Sequence, residues 1–364
     1  MNLEKRILKW TGRFFATLSV AMVAMGTAAC NGDLENGLHD QEMASVLSLS
    51  IVPETKATGS LHGVQADDNY VHSLEIFIFK DEGPDAGVLD TYKKLAGAEL
   101  GSLENIQVQT TTGKKIIYAV ANSHIEEWTG VNRLEQFQSV LASLEKEDLK
   151  SFTMVGSTRS LLGAASSVNI DVVRLVARVH LSGIKTDFEG TPYEGAVLKN
   201  VKAYLINVTG NVCYANGAVQ ENSRELNSGE LNSDDVKACI MDGMLYDYVA
   251  DEIGDSGYNS SHYFYCYENL ILEENDDQRF TRLVIQADLN GTTYYYPINI
   301  NRDGYGYTSA NGHAGVRRNT SYSIDVTITR PGTLDPDISL DFGEVTAKLS
   351  VLDWATLPVA NVGF

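Results

Sequence analysis

Thr281-Arg-Leu-Val-Ile-Gln-Ala-Asp-Leu289-Asn290-Gly291-Thr-Thr-Tyr-Tyr-Tyr-Pro-Ile-Asn-Ile300 is the stretch whose reading decides the fold. Leu283, Ile285, Ala287 and Leu289 fall on every second residue, so an extended chain places all four on one face. Asn290-Gly291 is the dipeptide of a type I′ turn, which needs φ > 0 at both central residues. The second arm, Thr292–Ile300, is rich in aromatic and β-branched residues, which favour strands. The segment therefore reads as an antiparallel hairpin with one face toward a core.

The same period of two recurs on both sides of this hairpin. In Ala44–Pro53, Leu47, Leu49 and Ile51 share a face while Ser48 and Ser50 point away. Val71–Lys80 is apolar on both faces through Leu74, Ile76, Phe77, Ile78 and Phe79, the pattern of a central strand. Ile116–Ala121 is a further short apolar strand. Val173, Leu175, Ala177, Val179 and Leu181 alternate with polar residues, as do Tyr322, Ile324, Val326 and Ile328, and Val345, Ala347, Leu349 and Val351. Asn132–Lys150 breaks this pattern, with apolar residues at helical spacing (Leu134, Phe137, Leu141, Leu144), and predicts an amphipathic helix capped at Asn132. A second helix is drawn over Ser233–Val249, weakened by Gly243. The sum is an all-β chain with a minor helix in its first half.

The chain has 364 residues and 39.8 kDa, enough for about two domains. The small-residue stretch Gly163–Ser167 places the boundary near residue 170. A hydrophobic content of 43% supports a packed core. With 28 basic against 48 acidic side chains the net charge is −20. That charge opposes binding to nucleic acid or to an anionic lipid surface.

Lys5, Arg6, Lys9 and Arg13 form a basic leader. Phe14–Gly26 follows as an apolar run of about 20 Å if helical, too short for a hydrocarbon core of about 30 Å. Gly26-Thr27-Ala28-Ala29 then precedes Cys30. This is an export signal, and its end resembles the lipobox of bacterial lipoproteins, in which the cysteine is lipidated and becomes the mature N-terminus. Thr27 stands where Leu is commoner. Loss of residues 1–29 removes four basic side chains and Glu4, taking the charge from −20 to −23. Export permits disulfides. Cys213, Cys239 and Cys266 allow one bridge at most, with Cys213–Cys239 the favoured pair and Cys266 a core thiol in Tyr263–Tyr267.

Catalytic patterns are missing from the sequence. The seven histidines are dispersed, and there is no nucleophile elbow, phosphate-cradling glycine loop or zinc spacing. Asn299–Gly304 opens like a calcium loop, but Ala310 stands where the bidentate Glu is needed, leaving a polar turn. The acidic runs Glu273–Asp277 and Asp81-Glu82 read as solvated loops. No enzyme activity, cofactor or metal is expected.

Several segments in order resemble the fimbrillins, the lipoprotein-derived pilins of Bacteroidota fimbriae (type V pili). They are the lipobox ending at Cys30, Val71-His-Ser-Leu-Glu-Ile-Phe-Ile-Phe79, Arg174-Leu-Val-Ala-Arg178-Val-His-Leu181, Tyr265-Cys-Tyr-Glu268-Asn269, Arg318-Asn319-Thr-Ser-Tyr322 and Val351-Leu-Asp-Trp354. The resemblance implies two transthyretin-like, Greek-key β-sandwich domains in tandem: 30–170 and 171–343, after the 1–29 signal peptide and before a 344–364 tail. It implies export to the outer membrane through lipid on Cys30, proteolytic removal of the first strand, and polymerisation into a surface fimbrium with other fimbrial subunits, supporting adhesion. The removable strand would carry Leu47, Leu49 and Ile51. The donated strand would come from Ala355–Phe364, anchored by Leu357, Val359, Val362 and Phe364. Family members often present Arg at the cut, yet no Arg lies between Arg13 and Arg133. Lys56 is the one basic residue between Cys30 and Lys80, so cleavage is expected between Lys56 and Ala57. The alternatives are an uncleaved anchor-type subunit, or a monomeric surface lipoprotein holding a host glycan or protein on tyrosine-rich loops such as Tyr294–Tyr307.

Overall fold

In a computed structural model, residues 42–53, 70–219, 223, 225–227, 243–275, 278–303, 309–310, 312–338 and 345–353 are described. The first half of the chain supplies β1 (Ala44–Pro53), β2 (Ser73–Lys80), β3 (Leu89–Ala96), β4 (Ile106–Thr111), β5 (Gly113–Ala121), helix α1 (Leu134–Gln138), β6 (Leu141–Ser143), β7 (Met154–Leu162) and β8 (Ala165–Arg174). The second half supplies β9 (Val176–Thr186), β10 (Leu198–Ile206), β11 (Val208–Thr209), β12 (Asn211–Cys213), β13 (Glu225–Leu226) and β14 (Tyr246–Ile253). It continues with β15 (His262–Tyr267), β16 (Arg282–Leu289), β17 (Thr292–Asn299), β18 (Thr320–Ile328) and β19 (Val345–Asp353).

The first seven long strands form one folded-over sheet in the order β3-β2-β5-β7-β8-β1-β4. β8 is the strand that turns the corner. It runs parallel to β1 from Ala165 to Val172, then pairs with β7 through Val173 and Arg174. Gly156 of β7 permits the crossing, because a Cβ there would stand 2.0 Å from the Asp171 carbonyl. The two leaves enclose an aliphatic core of Leu47, Leu49 and Ile51 with Leu74, Ile76, Ile78, Ile117 and Ala119. β8 continues through residue 170 to Arg174.

Two four-stranded sheets make the second sandwich, β14-β10-β16-β17 and β15-β9-β18-β19. Their inner faces pack together: Leu283, Ile285, Ala287 and Leu289 of β16 meet Ala177, Val179 and Leu181 of β9 and Tyr322, Ile324 and Val326 of β18. The Asn290-Gly291 turn has φ of 51° and 86°, as the hairpin reading requires. β2 is buried on both faces. Leu74, Ile76 and Ile78 enter the first core, and Phe77 and Phe79 join the core shared with the second half.

The helix expected over Asn132–Lys150 is cut to the five residues Leu134–Gln138. Gln136 Oε1 accepts from the Asn132 and Arg133 amides at 2.8 and 2.9 Å, so the cap falls at Arg133 and is closed by Gln136, one residue beyond the expected cap at Asn132. Beyond it the backbone is taken by tertiary pairing. β6 forms a two-stranded sheet with β12, joining the halves. Phe137 and Leu144 are buried while Leu141 is 44% exposed, so the four residues share no helical face. The second expected helix also gives way to a strand, because the described end of Ser233–Val249 belongs to β14, paired with β10. No helix among the described residues is long and apolar enough to cross a membrane.

Candidate functional site: a strand held between two neighbours

The alternation of Ala44–Pro53 produces a strand with a clean inner face. Leu47 and Leu49 are 0% exposed and Ile51 is 3%, whereas Val46 and Val52 lie outside at 36% and 46%. β1 sits inside the sheet, antiparallel to β4 and parallel to β8. Leu47 lies opposite Val108 and Ser166, and Leu49 opposite Ile106 and Val168. Side-chain bonds decorate the ends and rim: Ser45 Oγ donates to the Gly163 carbonyl at 2.6 Å, and Gln107 Nε2 donates to Ser48 Oγ at 3.1 Å. Lys80 Nζ pairs with Glu42 at 2.7 Å.

Three burials of about 1.5–3 kcal/mol each make the inner face of β1 worth roughly 5–9 kcal/mol. Removing β1 would leave β4 and β8 two strand spacings apart, about 10 Å, with ladder groups unpaired on both walls. The gap is the size of one strand and lined with aliphatic side chains. A slot of this kind accepts an extended segment that restores both the burial and the main-chain bonds.

The sequence-expected residues fall as follows. Leu47, Leu49 and Ile51 come together on the inner face of β1. Cys30, Lys56, Ala57, Cys239, Leu357, Val359, Val362 and Phe364 lie outside the described residues. Cys213 is buried on β12. Cys266 is fully buried in the second core, and burial pushes its thiol up to about 12. β19, the start of the expected 344–364 tail, is an integral edge strand, paired with β18 along its whole length from Val345 opposite Ile328 to Asp353 opposite Thr320.

Arg282, which the sequence did not flag, and several polar segments that it did are tied into the structure. Arg282, at the start of β16, is fully buried and makes two bonds to Glu274 (2.7 and 2.8 Å) and one to Asp337 (2.5 Å). Glu274 is thus a fixed ion-pair partner, not part of a solvated loop as its acidic run implied. Asp81 and Glu82 pair at the surface with Arg159 and Lys114. The tyrosine platform is also revised: Tyr294–Tyr296 lie in β17, not in a loop, and Tyr296 is fully buried. Asn301 organises the polar turn after β17. Its Nδ2 donates to the His313 carbonyl and its Oδ1 accepts from the Ala310 amide.

His180 lies between Ser261 and Ser323, stacked 4.6 Å from Tyr263. Burial, with the Arg178 and His262 charges, holds its imidazole down at about 4, so it is neutral near pH 7. His262 bridges Asp247 (2.6 Å) and Tyr258 (3.1 Å). These contacts cross-link strands and loops of the second sandwich. No group of three or more His, Cys, Asp or Glu side chains able to hold a metal ion occurs among the described residues.

Glu75 of β2 is buried against Ser123, Lys94 and Trp128. Burial raises its carboxyl above the usual range despite the opposing effect of those three partners. A raised folded value means this group's contribution is complete below the ordinary 4.5 and is lost as pH rises through the folded value. Glu75→Gln is therefore expected to compare progressively better with the parent as pH rises from about 4 to 7. Melting both proteins at the two pH values checks this; a pH-independent difference would contradict it.

Two family models match the chain. Residues 45–174 match "Major fimbrial subunit protein (FimA)" and residues 267–354 match "FimA4 pilin C-terminal domain". The first match runs from the start of β1 to the end of β8, the second from the end of β15 through β19. The major fimbrium subunit FimC of Porphyromonas gingivalis is 24% identical over 356 residues, covering 95% of this chain and 71% of the relative. The major fimbrium subunit FimA type-2 of the same organism is 36% identical over 74 residues, 19% of each chain. Among solved structures, a fimbrilin from P. gingivalis W83 superposes with a TM-score of 0.62 at 19% identity, covering 87% of this chain and 99% of that one.

Proposed function

From a chain that belongs to the fimbrillin family of Bacteroidota, a structural subunit of a surface fimbrium, we propose a subunit that polymerises by donor-strand exchange. β1 is removed and its slot is filled by the C-terminal segment of the next subunit. The observation that carries this reading is the placement of β1. It is paired on both sides and supplies three side chains to the core. It is joined to the rest of the fold through residues 54–69, which contain Lys56 as their sole basic residue. One cut after Lys56 would separate the strand and its leader from everything that follows. The precursor's intact β1 would keep the slot filled during export, and loss of burial worth roughly 5–9 kcal/mol would then drive uptake of a donor.

The donor in this reading is Ala355–Phe364, which follows β19. Ten extended residues reach about 33 Å, enough to line the slot. Lipid on Cys30 holds the precursor at the outer membrane until cleavage frees it, and a Cys213–Cys239 bridge would tether the insertion after β12. Deleting residues 355–364 is expected to abolish incorporation as a donor while leaving the monomer folded. Fimbriae carrying the truncated subunit at the normal internal frequency, counted by immunogold labelling, would refute the donor role. A subunit that retains residues 42–53 inside assembled fimbriae would instead be an uncleaved anchor.

A further inference from the structure

β4 is the edge of the seven-stranded sheet, and β1 is its sole ladder partner among the described residues. Once β1 leaves, β4 has no main-chain ladder. It also runs antiparallel to β8, so the two could close together into a new pair and erase the slot. A different set of bonds holds β4 from its other side. Asp90 of β3 accepts from the hydroxyls of Thr110 and Thr111 and from the Thr111 amide at 3.0 Å. Lys115 of β5, only 1% exposed, pairs with Asp90 at 3.2 Å and donates to Thr111 Oγ1 at 2.7 Å. Further along, Thr91 Oγ1 donates to the Gln109 carbonyl at 3.0 Å, and Lys93 Nζ to the Gln107 carbonyl at 2.7 Å. These contacts fasten β4 to β3 and β5 over most of its six residues. None of them involves β1.

We propose that this side-chain seam is a positioning device for strand exchange. It holds β4 as a fixed wall after β1 departs, so that the slot stays one strand wide and receptive. The inference rests on the strand-exchange reading above. The chemistry suits the task. The Asp90–Lys115 pair is buried, so salt and water screen it little. Burial alone would raise the Asp90 carboxyl, but the Thr110 and Thr111 bonds and the Lys115 charge outweigh it and hold it below its ordinary value. The seam engages main-chain groups of Gln107, Gln109 and Thr111 on the outer edge of β4, so the ladder groups that face the slot stay available for a new strand.

The test uses the mature chain from Cys30, cleaved between β1 and β2 and stripped of β1. A fluorescent peptide of residues 42–53 is the probe. Two variants break the seam at different points: Thr91→Val with Lys93→Met on the exposed part, and Asp90→Ala with Lys115→Met in the buried part. Ile117→Val serves as a core control. The expected result is that the seam variants bind the peptide about tenfold more weakly or worse. The control should change only in line with its loss of stability. Amide exchange over residues 106–111 of the peptide-free cleaved chain should rise in the seam variants. Equal peptide affinity and equal exchange in the parent and the Thr91→Val/Lys93→Met variant would overturn the seam. If the cleaved parent takes up no peptide, strand exchange is what fails. The exchange rates of residues 106–111 then still decide the seam: faster exchange in the variant supports it, unchanged exchange rejects it.

Discussion

Leu49→Ala is expected to lower the unfolding free energy of the uncleaved chain by about 2–5 kcal/mol. Leu49 is 0% exposed at the middle of β1, opposite Ile106 and Val168, and its truncation opens a hole in the aliphatic core that the two ladders prevent from collapsing. Val52→Ala, three residues along the same strand on the outer face, is expected to stay within about 0.5 kcal/mol. Chemical denaturation of the two variants side by side checks the contrast. The same substitution should speed the loss of β1 from the cleaved chain, because the side chains that retain the strand are the ones it removes. A Leu49→Ala chain as stable as the parent would mean that β1 is not what fills the slot.

Arg282→Ala is expected to cost about 3–5 kcal/mol, the range for breaking a buried ion pair from one side. Glu274 and Asp337 retain 21% and 26% side-chain exposure, so water can partly compensate and the lower end of the range applies. Asp337 also accepts from Asn207 Nδ2 at 2.7 Å and pairs with Arg279 at 2.9 Å. Through Asp337 the cluster pins the connection between β18 and β19, which the Thr333–Tyr295 bridge fastens to β17. Arg282→Ala should therefore also increase amide exchange at Thr333 and Asp337. The triple change Arg282→Met, Glu274→Gln, Asp337→Asn should recover part of the lost stability, because it leaves no fully buried charge unpaired; Arg279, which loses both carboxylates, keeps 35% side-chain exposure to water. Urea titration distinguishes the cases. A triple variant no better than Arg282→Ala would show that packing, not charge, sets the cost.

Period-two alternation made the strands legible. Leu283 to Leu289, Tyr322 to Ile328 and Leu47 to Ile51 each face a core as their spacing requires. The hairpin turn was legible because φ > 0 at two successive residues leaves few sequences other than Asn-Gly. The long helix does not form because its apolar spacing serves two unrelated demands: Phe137 fills an aromatic cluster with Phe77 and Tyr118, while Leu141–Ser143 is drawn into pairing with Asn211–Cys213. A partner about 70 residues away leaves no local mark. The same holds for the candidate site. The strand was visible as a pattern, but its position between β4 and β8, and the Asp90–Lys115 seam behind β4, depend on which segments meet. The acidic run around Glu274 read as solvent-facing because its partner, Arg282, stands inside a strand whose apolar alternation gives no sign of a buried cation.

The most direct measurement takes purified residues 30–364 through brief, limited trypsin treatment, followed by an unheated denaturing gel, N-terminal sequencing and negative-stain electron microscopy. The account predicts a new N-terminus at Ala57 and a ladder of heat-labile oligomers that appears as filaments on the grid. Cleavage at Lys56 with release of residues 42–53, but with the product remaining a monomer at assembly concentrations, would contradict it.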